Sequence, residues 1–246
     1  MSGASRGVFV TGTGTGVGKT FVSAALAALL RERGVDVGVM KPAETGVEDP
    51  EESRYSEDAA RLVAAAGVDD PPELVVPYRL RHPLAPAVAA GLEGRGISRE
   101  VVLTAHAELQ LRHEFVFVEG AGGLAVPFDE ELDMAGLALA LGLPLLVVAP
   151  AGLGTINHGV LTVEYARARG LQVRAFLLNL CGTPPNLAES TNPAVLARLT
   201  GIQVYGPVDR LTLEDAGTPA DAMAVEAVRR GAPGLVEALA GAALTR

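Results

Sequence analysis

The sequence predicts an α/β fold with a mostly parallel central sheet covered by helices on both faces. Three observations carry this expectation. Short, nearly continuous apolar runs recur, among them Val8-Phe9-Val10, Phe115-Val116-Phe117-Val118 and the LLVVA of residues 145–149, as in strands buried on both faces. Segments with helical spacing alternate with these runs, the pattern of right-handed crossover units. Hydrophobic residues make up 49% of the chain and aromatic ones only 4%, so the core must be assembled from Ala, Val and Leu. A length of 246 residues suits one large α/β domain. With no internal repeat, low-complexity segment or linker, residues 1–246 are expected to form a single domain.

The elements follow in order. Residues 7–11 read as a first buried strand, succeeded by a loop with glycine at 12, 14, 16 and 18. A helix over 20–33 is stopped by Gly34, and a strand over 35–40 is ended by Lys41-Pro42. Beyond a Glu-rich loop comes a short helix over about 56–66. Residues 71–96 are rich in proline and read as irregular, after which Ser98 caps a helix running to about 113. The strand at 115–118 ends on Glu119. Residues 134–154 carry no charge, a length that suggests a membrane span. Gly142 and Pro144 divide it, however, into a helix over 134–141 and a buried strand over 145–149. A helix over 156–169 and a strand over 173–178 complete the series. Such sheets bind ligands beyond the carboxyl ends of their strands. Lys41, Glu119, Asn179 and the glycine loop all fall at predicted strand ends, so four segments point toward one rim.

Charge and cysteine usage narrow the function classes. A net charge of −9 and a pI near 5.0, with no local cluster of basic residues, would repel a phosphate backbone, so no nucleic-acid partner is expected. One cysteine, Cys181, permits no internal disulfide, and its place reads as a small buried strand end. The N-terminus lacks a basic-then-apolar signal segment, and the cytoplasm is the expected address. None of the four histidines has a partner at metal-ligand spacing.

The loop GTGTGVGKT at residues 12–20 carries the chemistry. Between strand and helix, backbone N–H groups and a helix N-terminus favour phosphate. Lys19 there can neutralise β- and γ-phosphate oxygens, and the Thr20 hydroxyl can ligate Mg²⁺. The usual spacing would put glycine at 13, where this chain has Thr13. A dinucleotide fingerprint fits worse, because neither Gly12/Gly14 nor Gly14/Gly16 is followed by glycine three positions on. Of the 20 basic residues only Lys19 and Lys41 are lysine, which suggests a need for compact ammonium charges at this rim. Glu119, after its apolar run, is placed as an acidic metal ligand, and Asp58 at the start of a short helix can complete a set with Thr20. The expected fold is therefore a P-loop NTPase-like three-layer fold.

The segments GTGTGVGKT, VMKPAETG, SEDAARL, FVEGAGGLAVP, GLGTINHGVLT and LLN before a Pro-Pro turn resemble the dethiobiotin synthetases in order and spacing, over roughly residues 8–211. VEGAGG and GTINH are the most specific of them. The resemblance implies a cyclo-ligase of biotin biosynthesis. In that family 7,8-diaminopelargonate takes up CO₂ (or bicarbonate) as a carbamate, which is phosphorylated by ATP and closed to a cyclic urea, giving dethiobiotin, ADP and phosphate. It implies ATP and Mg²⁺ as cofactors and a homodimer with substrate sites at the subunit boundary.

Carried over by position, Lys41, Lys19 and Thr15 are the catalytic residues. Gly16, Val17, Gly18, Lys19, Thr20 and Phe21 meet the nucleotide, together with Asp58, Glu119, Gly120, Ala121, Gly122, Asn179, Asp209 and Leu211. Thr20, Asp58 and Glu119 surround Mg²⁺. Thr45, Gly154, Thr155, Ile156, Asn157 and Asn192 meet the substrate, the helix start at 154–157 receiving its carboxylate. The chain departs from the family at Gly14 and Gly16, where some members carry acidic residues.

Three other readings compete. A partitioning or assembly ATPase of the deviant P-loop class would carry a lysine where Gly14 stands. An ATP-dependent amidation domain of a cobyrinate-type synthase usually brings a glutaminase domain. A GTPase needs an Asn-Lys-x-Asp segment, which the sequence lacks.

Overall fold

Eight strands and ten helices are present among the described residues of this computed structural model, 7–50, 54–180, 187–209 and 220–241. In chain order they are β1 (Gly7–Gly12), α1 (Lys19–Glu32), β2 (Val37–Met40), β3 (Ala43–Thr45), α2 (Glu57–Ala66), α3 (Pro72–Val75), β4 (Tyr78–Leu80), α4 (Pro86–Leu92), α5 (Arg99–Arg112) and β5 (Phe115–Gly123). There follow α6 (Met134–Ala140), β6 (Leu145–Pro150), α7 (Thr155–Ala168), β7 (Val173–Asn179), α8 (Leu187–Thr200), β8 (Val204–Val208), α9 (Ala220–Gly231) and α10 (Leu235–Ala240).

Six strands form one sheet in the order β2-β5-β1-β6-β7-β8, and every pairing in it is parallel. Because successive strand side chains point to opposite faces, the apolar runs split between two layers. Val8, Val10, Phe115, Phe117, Leu146 and Val148 pack under α1, α2, α9 and α10. Phe9, Val116, Val118, Leu145 and Val147 pack under α5, α6, α7 and α8. This is the three-layer α/β arrangement read from the sequence. The chain order reverses at β1, which lies between β5 and β6. The crevice beyond its carboxyl end is where such a sheet opens for a ligand.

Two expectations are corrected. Residues 71–96 are not irregular: they contain α3, β4 and α4. Pro72 and Pro86 stand in the first turns of α3 and α4, where a missing N–H costs nothing and the fixed φ suits the helix. β4 pairs in parallel with β3, Glu44 opposite Arg79, in a separate two-stranded sheet. The strand that contains Glu119 does not stop there but continues to Gly123, with a register shift against β1 between Val10 and Gly12. Glu119 is thereby buried inside the strand. Among the described residues no helix is long and apolar enough to cross a membrane. Cys181, the Pro-Pro turn and Leu211 lie outside the described residues.

Candidate active site

The glycine loop leaves β1 at Gly12 and enters α1 at Lys19. Gly18, the N-cap of α1, has φ 90°, a left-handed conformation that glycine adopts without penalty. A Cβ there would stand 2.5 Å from Asn179 Nδ2. The Asn179 amide approaches because it donates to the Val17 carbonyl at 2.8 Å, tying the end of β7 to the loop. Lys19 opens α1 and its ammonium donates to the Gly14 carbonyl at 3.3 Å.

Three segments then converge beside Lys19. Thr20 Oγ1 donates to Glu119 Oε1 at 2.8 Å. Lys41, just past the end of β2, donates to the same oxygen at 2.7 Å and also to Asp58 Oδ2 in the first turn of α2. The second oxygen, Glu119 Oε2, is buried with no hydrogen-bond partner among the described residues. Gly120 follows because a Cβ there would sit 2.7 Å from the Phe9 ring. Only glycine lets β5 pass that ring and continue along the cleft.

The two lysines are pushed in opposite directions. Burial lowers the Lys19 ammonium from the ordinary lysine range; Glu119 opposes the shift and neighbouring Lys41 adds to it. Burial alone would lower Lys41 as well, but the carboxylates of Glu119 and Asp58 outweigh it and hold that ammonium above the ordinary range. Glu44 of β3 is also buried here. Its carboxylate accepts from the Ser56 hydroxyl, from Asp58 N–H at 3.0 Å and from Ala59 N–H at 3.2 Å. Burial pushes the Glu44 carboxyl up, against the opposing pull of Lys41.

A cleft of about 640 Å³ is lined by Thr15, Gly16, Gly18, Lys19, Thr20, Phe21, Lys41, Thr45, Asp58, Glu119, Gly120, Ala121 and Gly122. Most of the residues singled out in the sequence thus meet in one place. A neighbouring hollow of about 240 Å³ is bounded by Gly16, Val17, Gly18, Phe21, Asn179 and Asp209. Its remaining walls are mostly apolar, Val22, Leu180, Val208, Ala224 and Val228, which suits a flat ring.

Gly154, Ile156, Asn157 and Asn192 are not among the residues of either cleft. They line a third hollow, with Leu153 and Val160, at the start of α7. Asn192 there donates to the carbonyls of Ala151 at 2.8 Å and Gly152 at 2.9 Å. Thr155 is fully buried and its hydroxyl has no partner among the described residues. Sequence reasoning missed Glu44, although it lies inside the VMKPAETG segment. In the sequence it is one acid among several in the Glu-rich stretch after Lys41-Pro42, with nothing to set it apart.

The donor set suits a hard cation. Among the described residues no three His, Cys, Asp or Glu side chains are grouped to hold a metal ion. Two carboxylates and a hydroxyl, one carboxylate oxygen lacking a donor, are a set that Mg²⁺ completes with phosphate and water.

A family model described as an AAA domain matches residues 6–216. Over 196 residues the chain is 52% identical to a protein of Anaeromyxobacter sp. (strain Fw109-5) named ATP-dependent dethiobiotin synthetase BioD, covering 80% of this chain and 86% of that one. The same name belongs to a Bacillus licheniformis protein 43% identical over 213 residues, covering 86% and 88% of the two chains.

The chain belongs to the ATP-dependent dethiobiotin synthetase family.

A relative in Bacillus subtilis (strain 168) shares 40% identity over 208 residues, 84% of this chain and 88% of that one. Two solved structures of under 20% identity speak to the fold alone. The signal recognition particle 54 kDa protein of Aeropyrum pernix K1, in complex with GDP, superposes with TM-score 0.53 at 17% identity, over 99% of this chain and 50% of that one. Chloroplast FtsY from Physcomitrella patens gives TM-score 0.53 at 15% identity, over 93% and 66%. Family membership does not favour the partitioning-ATPase, amidation-domain or GTPase readings.

Proposed function

We propose that this chain closes 7,8-diaminopelargonate and CO₂ to dethiobiotin at the expense of ATP, releasing ADP and phosphate in biotin biosynthesis. The observation that carries the reading is the meeting of Lys19, Thr20, Lys41, Asp58 and Glu119 beside the phosphate loop, in a chain of this family. ADP release that requires both 7,8-diaminopelargonate and bicarbonate tests it. Release with either alone would overturn it.

The roles follow from charge and position. The loop from Gly16 to Thr20 cradles the triphosphate, with N–H groups and the Lys19 ammonium facing its oxygens. Thr15 and Gly120 to Gly122 bound the phosphates from the facing side, and Phe21, Asn179 and Asp209 form the base hollow. Leu211 belongs to the same expected set. Thr20, Asp58 and Glu119 would hold Mg²⁺, which neutralises phosphate charge when bound. The buried Glu119 oxygen without a donor supports that reading. Thr45 and Lys41 face the carbamate. A carbamate oxygen attacks the γ-phosphorus, ADP leaves, and the second amine then displaces phosphate from the carbamic–phosphoric anhydride to close the ring. Lys41 concentrates positive charge where oxyanions develop.

Gly154, Thr155, Ile156, Asn157 and Asn192 would receive the substrate carboxylate at the α7 start, and a homodimer brings this start to the partner's cleft. Support comes from their separation from the loop cleft and from Leu153, 89% exposed, beside them. A two-fold pair is also the commonest assembly. Sedimentation of a fully active monomer at assay concentrations would overturn the dimer. The reading treats the chain as one P-loop α/β domain, supported by the single six-stranded sheet. The substrates are small molecules, and the ATP-fed biosynthetic role supports a cytoplasmic address.

A further inference from the structure

We infer that Glu44 is a positioning residue for phosphoryl transfer: by gripping the first turn of α2 it sets where the Asp58 carboxylate stands. The inference rests on the reading above, in which Asp58 helps to hold magnesium.

A helix start ordinarily satisfies its free N–H groups with its own N-cap side chain. Ser98 does so for α5, accepting from Val101 N–H, and Asp133 does so for α6, accepting from Gly136 N–H at 2.8 Å. Ser56, the N-cap of α2, makes no such bond. Its hydroxyl is turned to donate to Glu44 Oε2, and the cap is supplied from another segment. Glu44 Oε1 accepts from Asp58 N–H at 3.0 Å and Glu44 Oε2 from Ala59 N–H at 3.2 Å. One buried carboxylate therefore takes three hydrogen bonds from the residues that bracket Asp58, at the helix end where negative charge is favoured.

The other side of Asp58 is met by Lys41, three residues before Glu44. One short segment supplies both the cation that takes the Asp58 side chain and the anion that takes its backbone. That segment is braced by the pairing of β3 with β4. Without Glu44, three donors lose their acceptor, the first turn of α2 frays, and the Asp58 carboxylate is no longer held toward Lys41, Thr20 and Glu119.

Glu44→Ala and Glu44→Gln are to be compared with Asp58→Asn and with the Glu44→Ala/Asp58→Asn double variant. The readouts are turnover, half-saturating Mg²⁺ and, by calorimetry, the gain in affinity for a non-hydrolysable ATP analogue when Mg²⁺ is added. Glu44→Ala should lose about 10- to 100-fold in turnover, as for partners that orient metal ligands, and show a smaller magnesium-dependent gain. Glu44→Gln, which keeps one acceptor oxygen and the side-chain volume, should lose less. In the Asp58→Asn background Glu44→Ala should cost less than about twofold more, because both changes remove one arrangement. Multiplying losses, or an intact magnesium-dependent gain in Glu44→Ala, would overturn the inference. If Glu44→Ala melts far below the parent chain, Glu44→Gln decides on the same readouts. A silent Asp58→Asn would instead sink the metal reading, and any loss in Glu44→Ala could then not act through Asp58.

Discussion

Lys41 Nζ donates to Glu119 Oε1 at 2.7 Å across 78 residues of sequence, with side chains 7% and 1% exposed. The same ammonium reaches Asp58, so a single cation joins β2, β5 and α2. A buried charge that loses its partner costs far more than an exposed one. Lys41 therefore organises the cleft as well as acting in it.

Lys41→Gln should lower turnover by about 10² to 10³, the loss typical of one well-placed group at developing negative charge. ATP affinity should change much less, since the charge acts on transfer. The melting temperature should also fall, because Glu119 and Asp58 are left facing each other. Lys41→Arg should not restore turnover, because the larger planar fork needs more room than a compact ammonium at a position only 5% exposed. Near-normal turnover with weakened ATP binding in Lys41→Gln would reduce Lys41 to a nucleotide clamp.

Glu119→Gln keeps size and an acceptor for Thr20 and Lys41 but removes the charge. Turnover should fall and half-saturating Mg²⁺ should rise. A magnesium titration that superposes on that of the parent chain would remove Glu119 from the metal site.

His106 lies on the buried face of α5, and its Nε2 has no partner among the described residues. Burial pushes it down to about 4, against about 6.5 when unfolded. Between these values the unfolded chain binds a proton that the folded chain refuses, so stability is full above 6.5 and falls as pH drops toward 4. The loss amounts to roughly 3 kcal/mol. Between pH 7 and pH 4.5 the denaturant midpoint of the parent chain should fall relative to that of His106→Leu, the variant lacking this slope. Parallel pH dependences would refute it.

Gly18 and Gly16 both have positive φ, 90° and 73°, but only at Gly18 would a Cβ meet a neighbour, the Asn179 amide. Gly16→Ala should carry only the backbone strain, about 1–2 kcal/mol. Gly18→Ala carries the same strain and breaks the Asn179 tie as well, so its nucleotide affinity should fall at least about tenfold below that of Gly16→Ala. Equal affinities would show that the tie does not shape the loop.

Much of the sheet was legible because its strands are apolar runs punctuated by the residues that function needs. The glycine loop, Lys41 and Asn179 all lie where β1, β2 and β7 give out. Glu119 was legible as a rim residue but not as a buried one, since GAGG after it reads as a turn and pairs instead as strand. The segment 71–96 was illegible for a different reason. Proline at a helix start and proline in a loop look alike without the neighbours, and three-residue strands such as β3 and β4 are too short to show a period. Glu44 escaped because its three partners, Ser56, Asp58 and Ala59, are brought to it by packing across a loop.

Both lysines of the chain are buried beside the phosphate loop, which leaves its surface without an ε-amine. Amine-directed reagents, whether cross-linkers, dyes or immobilisation resins, would therefore find no lysine to couple on the outside. Of the two lysines, a reagent small enough to enter the cleft would favour Lys19, whose ammonium burial makes easier to deprotonate, over Lys41, which Glu119 and Asp58 keep protonated. ATP should shield it, so the fraction of Lys19 labelled would report occupancy of the cleft.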